Sequence, residues 1–460
     1  MQTIEIMKKF VEPQSVAIIG ATRQSGEFSL NLVEHLLSYG YKGKIYPVNP
    51  NASEIAGVKA YPSVKDIEEP VDLAVIMTPR NTVPDILRQC AEKEIVCASI
   101  IAQGFNDARD EEGRRLYNDI LDVIKATGIR VLGPNTFGSA NAFINFSSSF
   151  ARIALDKNPV GIICQTGLFF HGFPEFRFTG KCIDLGNNCD IDFADGLEYY
   201  ENDPEVKVIG LHIEGMKDPA RFLQVARRVA MKKPIVALKT GRSEQGARAL
   251  QSHTGSLAGK DALWDIALRN AGIIRVNEQE EFLDTIRMFT IAPLMKNKRV
   301  AISTFSGGAG IMAMDVLQNS GIEISKLSKA TGEKLESLAP GWLNVSNPVD
   351  YWPIMMGHPN QMLVMRDIMD ILLSDEELGG AIYMQVIFQP KVGEGMRMFL
   401  NNLVDRHPEK PFMSALPGTY NSETIIGLQQ DGKTLAFPTP ERAARAFARL
   451  WQYSKLRGGL

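Results

Sequence analysis

At 460 residues the chain has room for roughly three domains of ~150 residues each, and 45% hydrophobic against 22% charged content excludes disorder as its main state. Its formal net charge of −3, with lysines and arginines spread and no basic run, excludes nucleic acid or an anionic membrane surface as the main partner. No apolar run reaches the ~18 residues of a membrane span, and the first ten residues lack the apolar core of a signal peptide. The five cysteines (Cys90, Cys97, Cys164, Cys182, Cys189) are odd in number and without CxxC spacing. They read as reduced thiols of a cytoplasmic protein, not as a disulfide frame or a zinc site.

Residues 1–150 alternate short β-rich runs with helical patterns. Ser15–Ile19 stops at Gly20, and residues 31–39 follow with helical periodicity. Lys44–Val48, 73–77, 96–101 and Arg130–Leu132 are the next strands, which is the βαβ signature of a doubly wound parallel sheet. A second series opens at Val160–Cys164 and continues with 206–213 and 235–238, and the polar stretch 146–159 reads as a linker. A third opens at 299–304 and continues with 381–387 and 411–415. The expected organisation is three α/β units over 1–150, 151–294 and 295–460.

The turn Gly20-Ala21-Thr22-Arg23-Gln24-Ser25-Gly26 lies between a strand and a helix. Backbone N–H groups at Gly20, Ala21, Thr22, Ser25 and Gly26 would face a phosphate at the helix N-terminus. The turn is not GxGxxG, so a plain tight βα connection is the other reading. The second strand ends Val48-Asn49-Pro50, with Lys44 nearby and no carboxylate at its tip. NAD sites place an acid there to hold the ribose hydroxyls, so this tip suits a phosphorylated ribose, such as that of coenzyme A, and argues against a nicotinamide-dependent oxidoreductase.

Further along, Ser252-His253-Thr254-Gly255-Ser256-Leu257-Ala258-Gly259 sets a histidine among small residues, after the β-type run 234–239. Small neighbours let a bulky anion reach an imidazole, although a lone histidine in a Gly/Ser loop also reads as a surface residue. Glu214 falls at a strand tip, where α/β sites form. It could accept the imidazole N–H and stabilise the imidazolium, or be a solvated strand-end glutamate. Thr166-Gly167 and Ser306-Gly307-Gly308-Ala309-Gly310 each follow a strand and precede a helix. Two such helix N-termini would neutralise a phosphate without a metal. Phe169 and Phe170 either reshape an acyl pocket or pack the core, and His171 reads as structural. GxxxxGK[ST], HExxH, GxSxG and EF-hand patterns are absent, and no metal site is expected.

The SHTGSLAG string and its approach, Lys239-Thr240-Gly241-Arg242-Ser243-Glu244, resemble the phosphohistidine segment of the nucleoside-diphosphate-forming acyl-CoA synthetases, relatives of succinyl-CoA synthetase. Residues 44–50, Thr78-Pro79, Gln103-Gly104-Phe105 and Gly133-Pro134-Asn135-Thr136 resemble the family's CoA-binding domain. Thr136 stands where relatives often have cysteine, and Gln103 replaces a small residue. The resemblance implies an α/β fold of three doubly wound units: a Rossmann-like CoA-binding domain, a CoA-ligase domain carrying the phosphohistidine, and a second flavodoxin-like CoA-ligase domain. It places Gly20, Ala21, Thr22, Ser25, Gly26, Lys44, Asn49, Pro79, Gly104, Phe105 and Asn135 at coenzyme A. It places Thr166, Gly167, Ser306, Gly307, Gly308, Ala309 and Gly310 at phosphate, and it makes Glu214 the orienting partner of His253.

The implied reaction interconverts acyl-CoA, phosphate and ADP (or GDP) with carboxylic acid, CoA and ATP (or GTP), through an acyl phosphate and phosphohistidine. The family's ATP-grasp module, which binds ADP/ATP and Mg²⁺, is expected on a separate beta subunit in a hetero-oligomer, with α2β2 one arrangement. The alternative is a non-catalytic CoA- or acyl-CoA-binding subunit or scaffold that has lost phosphoryl transfer, and the bulk at Phe169-Phe170 motivates it.

Overall fold

Five short apolar strands, most of them buried end to end as in a sheet covered on both faces, open the fold. They are β1 (Ser15–Ile19), β2 (Lys44–Val48), β3 (Leu73–Ile76), β4 (Cys97–Ile100) and β5 (Arg130–Leu132). The computed structural model describes residues 2–26, 29–172, 180–248, 261–324 and 326–458. Its contacts divide the chain into two compact units, Met1–Asn277 and Glu278–Leu460.

In the first unit the five strands pair in parallel in the order β2-β1-β3-β4-β5. A parallel bridge from Tyr61 to Val48 adds one more chain segment outside β2. Counted with it, the order becomes the 3-2-1-4-5-6 of a Rossmann sheet. The helix after β1 begins at Leu32, where Asn31 accepts from the N–H groups of Val33 and Glu34, and it ends at Gly40 in the left-handed region.

The second sheet of this unit contains β6 (Ser139–Asn141), β7 (Phe146–Ser147), β8 (Val160–Cys164), β9 (Lys181–Asp184), β10 (Val208–Ile213), β11 (Ile235–Lys239) and β12 (Ile274–Val276). They lie in the order β12-β11-β10-β8-β9-β6-β7. The five from β8 onward are parallel in the flavodoxin-like 2-1-3-4-5 order, and β6 and β7 extend the edge antiparallel. Residues 139–147, expected to end the first unit and begin a linker, are therefore part of the second sheet, and Ser147, Ser148 and Ser149 are fully buried. Short polar strands carry no apolar run, so their periodicity gave no signal.

The two sheets share one compact unit through a buried cation. Lys181, on β9, reaches Asp203 at 2.6 Å, Glu205 at 2.8 Å and Glu12 at 3.2 Å. Glu12 follows the helix Thr3–Val11, which packs on Phe193–Tyr200, and it accepts from the Tyr199 hydroxyl. Removing one partner of a buried charge set strands the others. Lys181→Met is expected to lower unfolding free energy by about 3 kcal/mol in urea melts of the whole chain.

The second unit holds β13 (Val300–Thr304), β14 (Val349–Asp350), β15 (Gly380–Met384), β16 (Phe412–Ala415) and β17 (Leu435–Phe437). All are parallel, in the order β14-β13-β15-β16-β17, again flavodoxin-like. The helix Gln279–Ile291, which the sequence placed before a boundary near 295, packs on Pro440–Gly458 within this unit. Arg442 grips Asp284 with two 2.8 Å bonds, and Arg449 reaches Glu281 at 2.7 Å.

Candidate functional site

Parallel sheets place ligands outside the carboxyl ends of their strands, where the strand order reverses. In the first sheet that point lies between β1 and β3. Gly20 leaves β1 at φ +87°, and a Cβ there would stand 2.9 Å from Thr78 Cγ2, so the turn requires glycine for both conformation and space. The loops after β2, β3, β4 and β5 bring Asn49, Pro79, Gly104 and Asn135 to the same edge. Asn49 ties its loop to the first turn, with Nδ2 donating to the Ala21 carbonyl at 2.8 Å.

Several donors expected to hold phosphate are already engaged. The Gly20 and Ala21 N–H groups donate to the Val48 carbonyl at 3.0 and 3.3 Å, and Gly26 N–H meets Glu34 at 3.3 Å. Asp107 accepts from the N–H groups of both Gly104 and Phe105, at 3.1 and 2.8 Å, where an anion would sit. The Phe105 side chain itself is fully buried in the core. Thr22 and Ser25 lie on the partly or fully exposed stretch of the turn. Lys44 is a correction of position: it begins β2 in register with Ser15. Four residues at ~3.3 Å each separate it from the strand tip that Asn49 follows, so Lys44 stands at the opposite edge of the sheet.

In the second sheet the reversal lies between β8 and β10. Gln165 follows β8, and its Oε1 accepts from the N–H groups of Glu214 and Gly215 at 2.8 and 3.1 Å. This fixes Glu214 at the tip of β10. Glu214 is buried, its Oε2 has no hydrogen-bond partner among the described residues, and burial pushes its carboxyl up to about 7 against the pull of Lys239. Lys239 ends β11, donates to the Glu214 carbonyl at 2.9 Å and lies 5.4 Å from the Trp264 ring centre. Burial lowers its ammonium to about 8.

Asp184, at the tip of β9, is a second buried carboxylate near Glu214 that sequence reasoning did not single out. It accepts from Phe137 N–H at 2.8 Å and Gly186 N–H at 3.2 Å. Burial still raises it to about 7, with a further push from Glu214. A four-residue run that begins and ends on charge does not read as a strand, so the strand-tip rule does not reach Asp184 from the sequence. Thr136 donates its hydroxyl to the Asp184 carbonyl, so threonine has a structural role at that turn.

His253, with the whole of residues 252–259, lies outside the described residues. The helix after Thr166-Gly167 spans only Leu168–His171, shorter than the helix expected to present a full N-terminus. Phe169 and Phe170 are buried. Phe169 stacks on His212 at 4.7 Å and Phe170 lies 6.1 Å from Phe137, so the aromatic bulk packs the core. Gly167 fits because a Cβ there would strike the Phe137 ring at 2.3 Å. Burial lowers His212 to about 4, so it is neutral.

In the second unit, Ser306 precedes the helix Gly307–Asn319 and makes no side-chain cap bond. Thr304 Oγ1 instead accepts from Ser306 N–H at 3.1 Å and donates to its carbonyl at 2.7 Å. Ser306, Gly307 and Gly308 are exposed, Ala309 is half-buried, and Gly310 N–H returns to the Ser306 carbonyl at 3.1 Å. This terminus leaves first-turn N–H groups open to an anion.

Residues 14–142 match the family described as CoA binding domain, and residues 157–289 match the succinyl-CoA ligase like flavodoxin domain. Over 460 residues the chain is 35% identical to the acetate–CoA ligase [ADP-forming] II subunit alpha of Pyrococcus furiosus, covering 98% of both chains. The chain belongs to the nucleoside-diphosphate-forming acyl-CoA synthetase family. Within this family it is also 40% identical over 349 residues to the acetate–CoA ligase [ADP-forming] of Methanocaldococcus jannaschii. That match takes in 75% of this chain and 49% of the relative, so the chain spans about half that protein's length. Among solved structures, an acetyl-coenzyme A synthetase of Ca. Korarchaeum cryptofilum, in complex with phosphate and ADP, has a TM-score of 0.89 at 29% identity. The overlap covers 98% of this chain and 97% of that one. The expected α/β architecture, with a Rossmann-like first sheet and flavodoxin-like sheets after it, is borne out. The five cysteines are free and buried, and no helix among the described residues is long and apolar enough to cross a membrane.

Proposed function

We propose that this chain is the alpha-type subunit of an ADP- or GDP-forming acyl-CoA synthetase, with His253 as phosphoryl carrier. Glu214 carries the proposal: a buried carboxylate at the switch point, with one oxygen lacking a partner among the described residues. That oxygen suits the N–H of His253 and stabilises the imidazolium as charge develops. Phosphate attacks the thioester, CoA leaves as thiolate, and the acyl phosphate passes its phosphoryl group to the imidazole nitrogen, releasing the carboxylate. Dividing the transfer in this way needs a neutral imidazole, which histidine provides near pH 7. Coenzyme A lies along the β1–β3 crevice, where Asp107 must yield the Gly104 and Phe105 N–H groups to a phosphate of the ligand. Thr166 and Gly167 supply N–H donors to the transferred phosphate, and the first turn after Ser306 is an anion site of the second unit.

Nucleotide and Mg²⁺ belong to a separate ATP-grasp beta subunit in a cytoplasmic hetero-oligomer, with α2β2 one arrangement. The non-catalytic scaffold reading loses its motive, because Phe169 and Phe170 pack the core. With acyl-CoA and phosphate, the purified chain is expected to release CoA in a single turnover, and ATP is expected to form only after an ATP-grasp subunit and ADP are added. ATP formed by this chain alone, or no CoA release in either setting, would contradict the proposal. At the crevice, Gly20→Val is expected to weaken CoA binding at least about tenfold by closing the turn. Lys44→Ala, at the far edge, is expected to leave calorimetric affinity unchanged.

A further inference from the structure

The turn after β5 and the chain leaving β9 are bonded to each other along their length. Residues 184–191 run antiparallel to residues 131–138. The Asp184 N–H donates to the Gly138 carbonyl at 2.9 Å, Asn187 to Pro134 at 2.8 Å, Cys189 to Gly133 at 2.9 Å and Ile191 to Val131 at 3.1 Å. Asn135, at the proposed coenzyme A edge, turns in the left-handed region at φ +58°. Gly186 faces it at φ +52°, and a Cβ there would stand 2.5 Å from the carbonyl oxygens of both Pro134 and Asn135. The ligand edge of the first sheet is therefore packed without slack on the ligand edge of the second.

Asp184 adds side-chain bonds that the backbone ladder alone would not make. Its buried carboxylate accepts from Phe137 N–H through Oδ2 at 2.8 Å and from Gly186 N–H through Oδ1 at 3.2 Å. Bonds to an ionised acceptor are the stronger kind. The Phe137 ring in turn lies against Gly167, where a Cβ would strike it at 2.3 Å. One carboxylate thus ties the turn that carries Asn135 to the start of the helix Leu168–His171, where the phosphate is proposed to sit.

We propose that Asp184 is a positioning residue for acyl transfer, fixing the turn at Asn135 against Gly167 so that the thioester meets the attacking phosphate at the right distance. This role rests on the reaction proposed above and belongs to one step of it. In that step a phosphate oxygen bonds to the thioester carbon, the C–S bond breaks and its electron pair leaves on the CoA sulfur. A misplacement of about 1 Å between reacting groups costs about 10²-fold in rate. Exchange of the phosphoryl group between His253 and a nucleotide involves no thioester, so it does not depend on this turn.

Two variants of the full chain test the role. Asp184→Asn keeps the volume and one oxygen but turns an NH₂ toward one of the two N–H donors. Burial already raises the carboxyl to about 7, so a neutral amide of the same shape is compatible with the fold. Gly186→Ala leaves the carboxylate in place and pushes on the same turn. The rate of labelling His253 is followed by two routes. One uses ³²P-phosphate with whichever member of an acyl-CoA panel labels the parent fastest, and the other uses [γ-³²P]ATP, Mg²⁺ and an added ATP-grasp subunit. Both variants are expected to slow the first route by about 30- to 100-fold, in kcat and not KM, and the second by less than about twofold. Parent-like labelling from acyl-CoA in either variant would overturn the proposal. So would equal loss by both routes in Asp184→Asn, which would assign the effect to the neighbouring Glu214 or to the fold. A parent chain that takes no label by either route would overturn the reaction itself, and this role with it.

Discussion

Glu214→Gln is expected to slow phosphoryl transfer to His253 by about 10²- to 10³-fold, the usual range for losing a positioned acid–base partner. Glutamine keeps the shape and can still accept a hydrogen bond, but it cannot carry the charge that stabilises an imidazolium. The same substitution reports on stability with the opposite sign. Burial raises Glu214 to about 7 and Asp184 to about 7, against ordinary values of 4.5 and 3.8. The folded chain therefore holds protons that the unfolded chain has released over that interval. The stabilisation this gives is complete below about pH 4 and is lost as pH rises through about 7. Glu214→Gln is expected to be more stable than the parent by about 2 kcal/mol at pH 8 and by little at pH 5, in denaturant melts. Slower transfer together with higher stability at pH 8 separates a functional carboxylate from a structural one. Equal destabilisation at both pH values would point to a structural role.

His253→Ala is expected to abolish transfer, with at least about 10⁴-fold loss of overall turnover in the reconstituted enzyme, as when a nucleophile is removed. CoA affinity is expected to stay the same, because the crevice between β1 and β3 is built from residues 20–135. A variant that loses both CoA binding and turnover would place residue 253 in the fold of the binding site. Calorimetry with CoA and steady-state rates on one preparation distinguish the two outcomes.

The five strands of the first sheet and the main strands of the third could be read from their apolar runs, since parallel strands buried on both faces carry Val, Ile and Ala without alternation. The pieces missed were those whose residues do not advertise burial. Ser139–Asn141 and Phe146–Ser147 are short, polar and antiparallel, yet they extend the second sheet. Lys181–Asp184 begins and ends on charge, yet all four residues are buried because Glu12, Asp203 and backbone N–H groups satisfy them. Within the site, the strand-tip rule found Glu214 and would have found Asp184 had that strand been recognised. Lys44 was misplaced because proximity in sequence to a strand tip does not give the end of the strand. The satisfied state of the Gly104 and Phe105 N–H groups depends on Asp107 folding back, a local turn that spacing alone does not reveal.

Transfer through this chain depends on a phosphoryl group carried on one histidine, as proposed above. The measurement is incubation of the purified chain with acyl-CoA and ³²P-phosphate, followed by protease digestion and mass spectrometry of the labelled peptide. An acid-labile, base-stable label on His253 that is lost in His253→Ala is expected. No label from any of a broad acyl-CoA panel, including after addition of an ATP-grasp subunit, or a label that persists in His253→Ala, would contradict it.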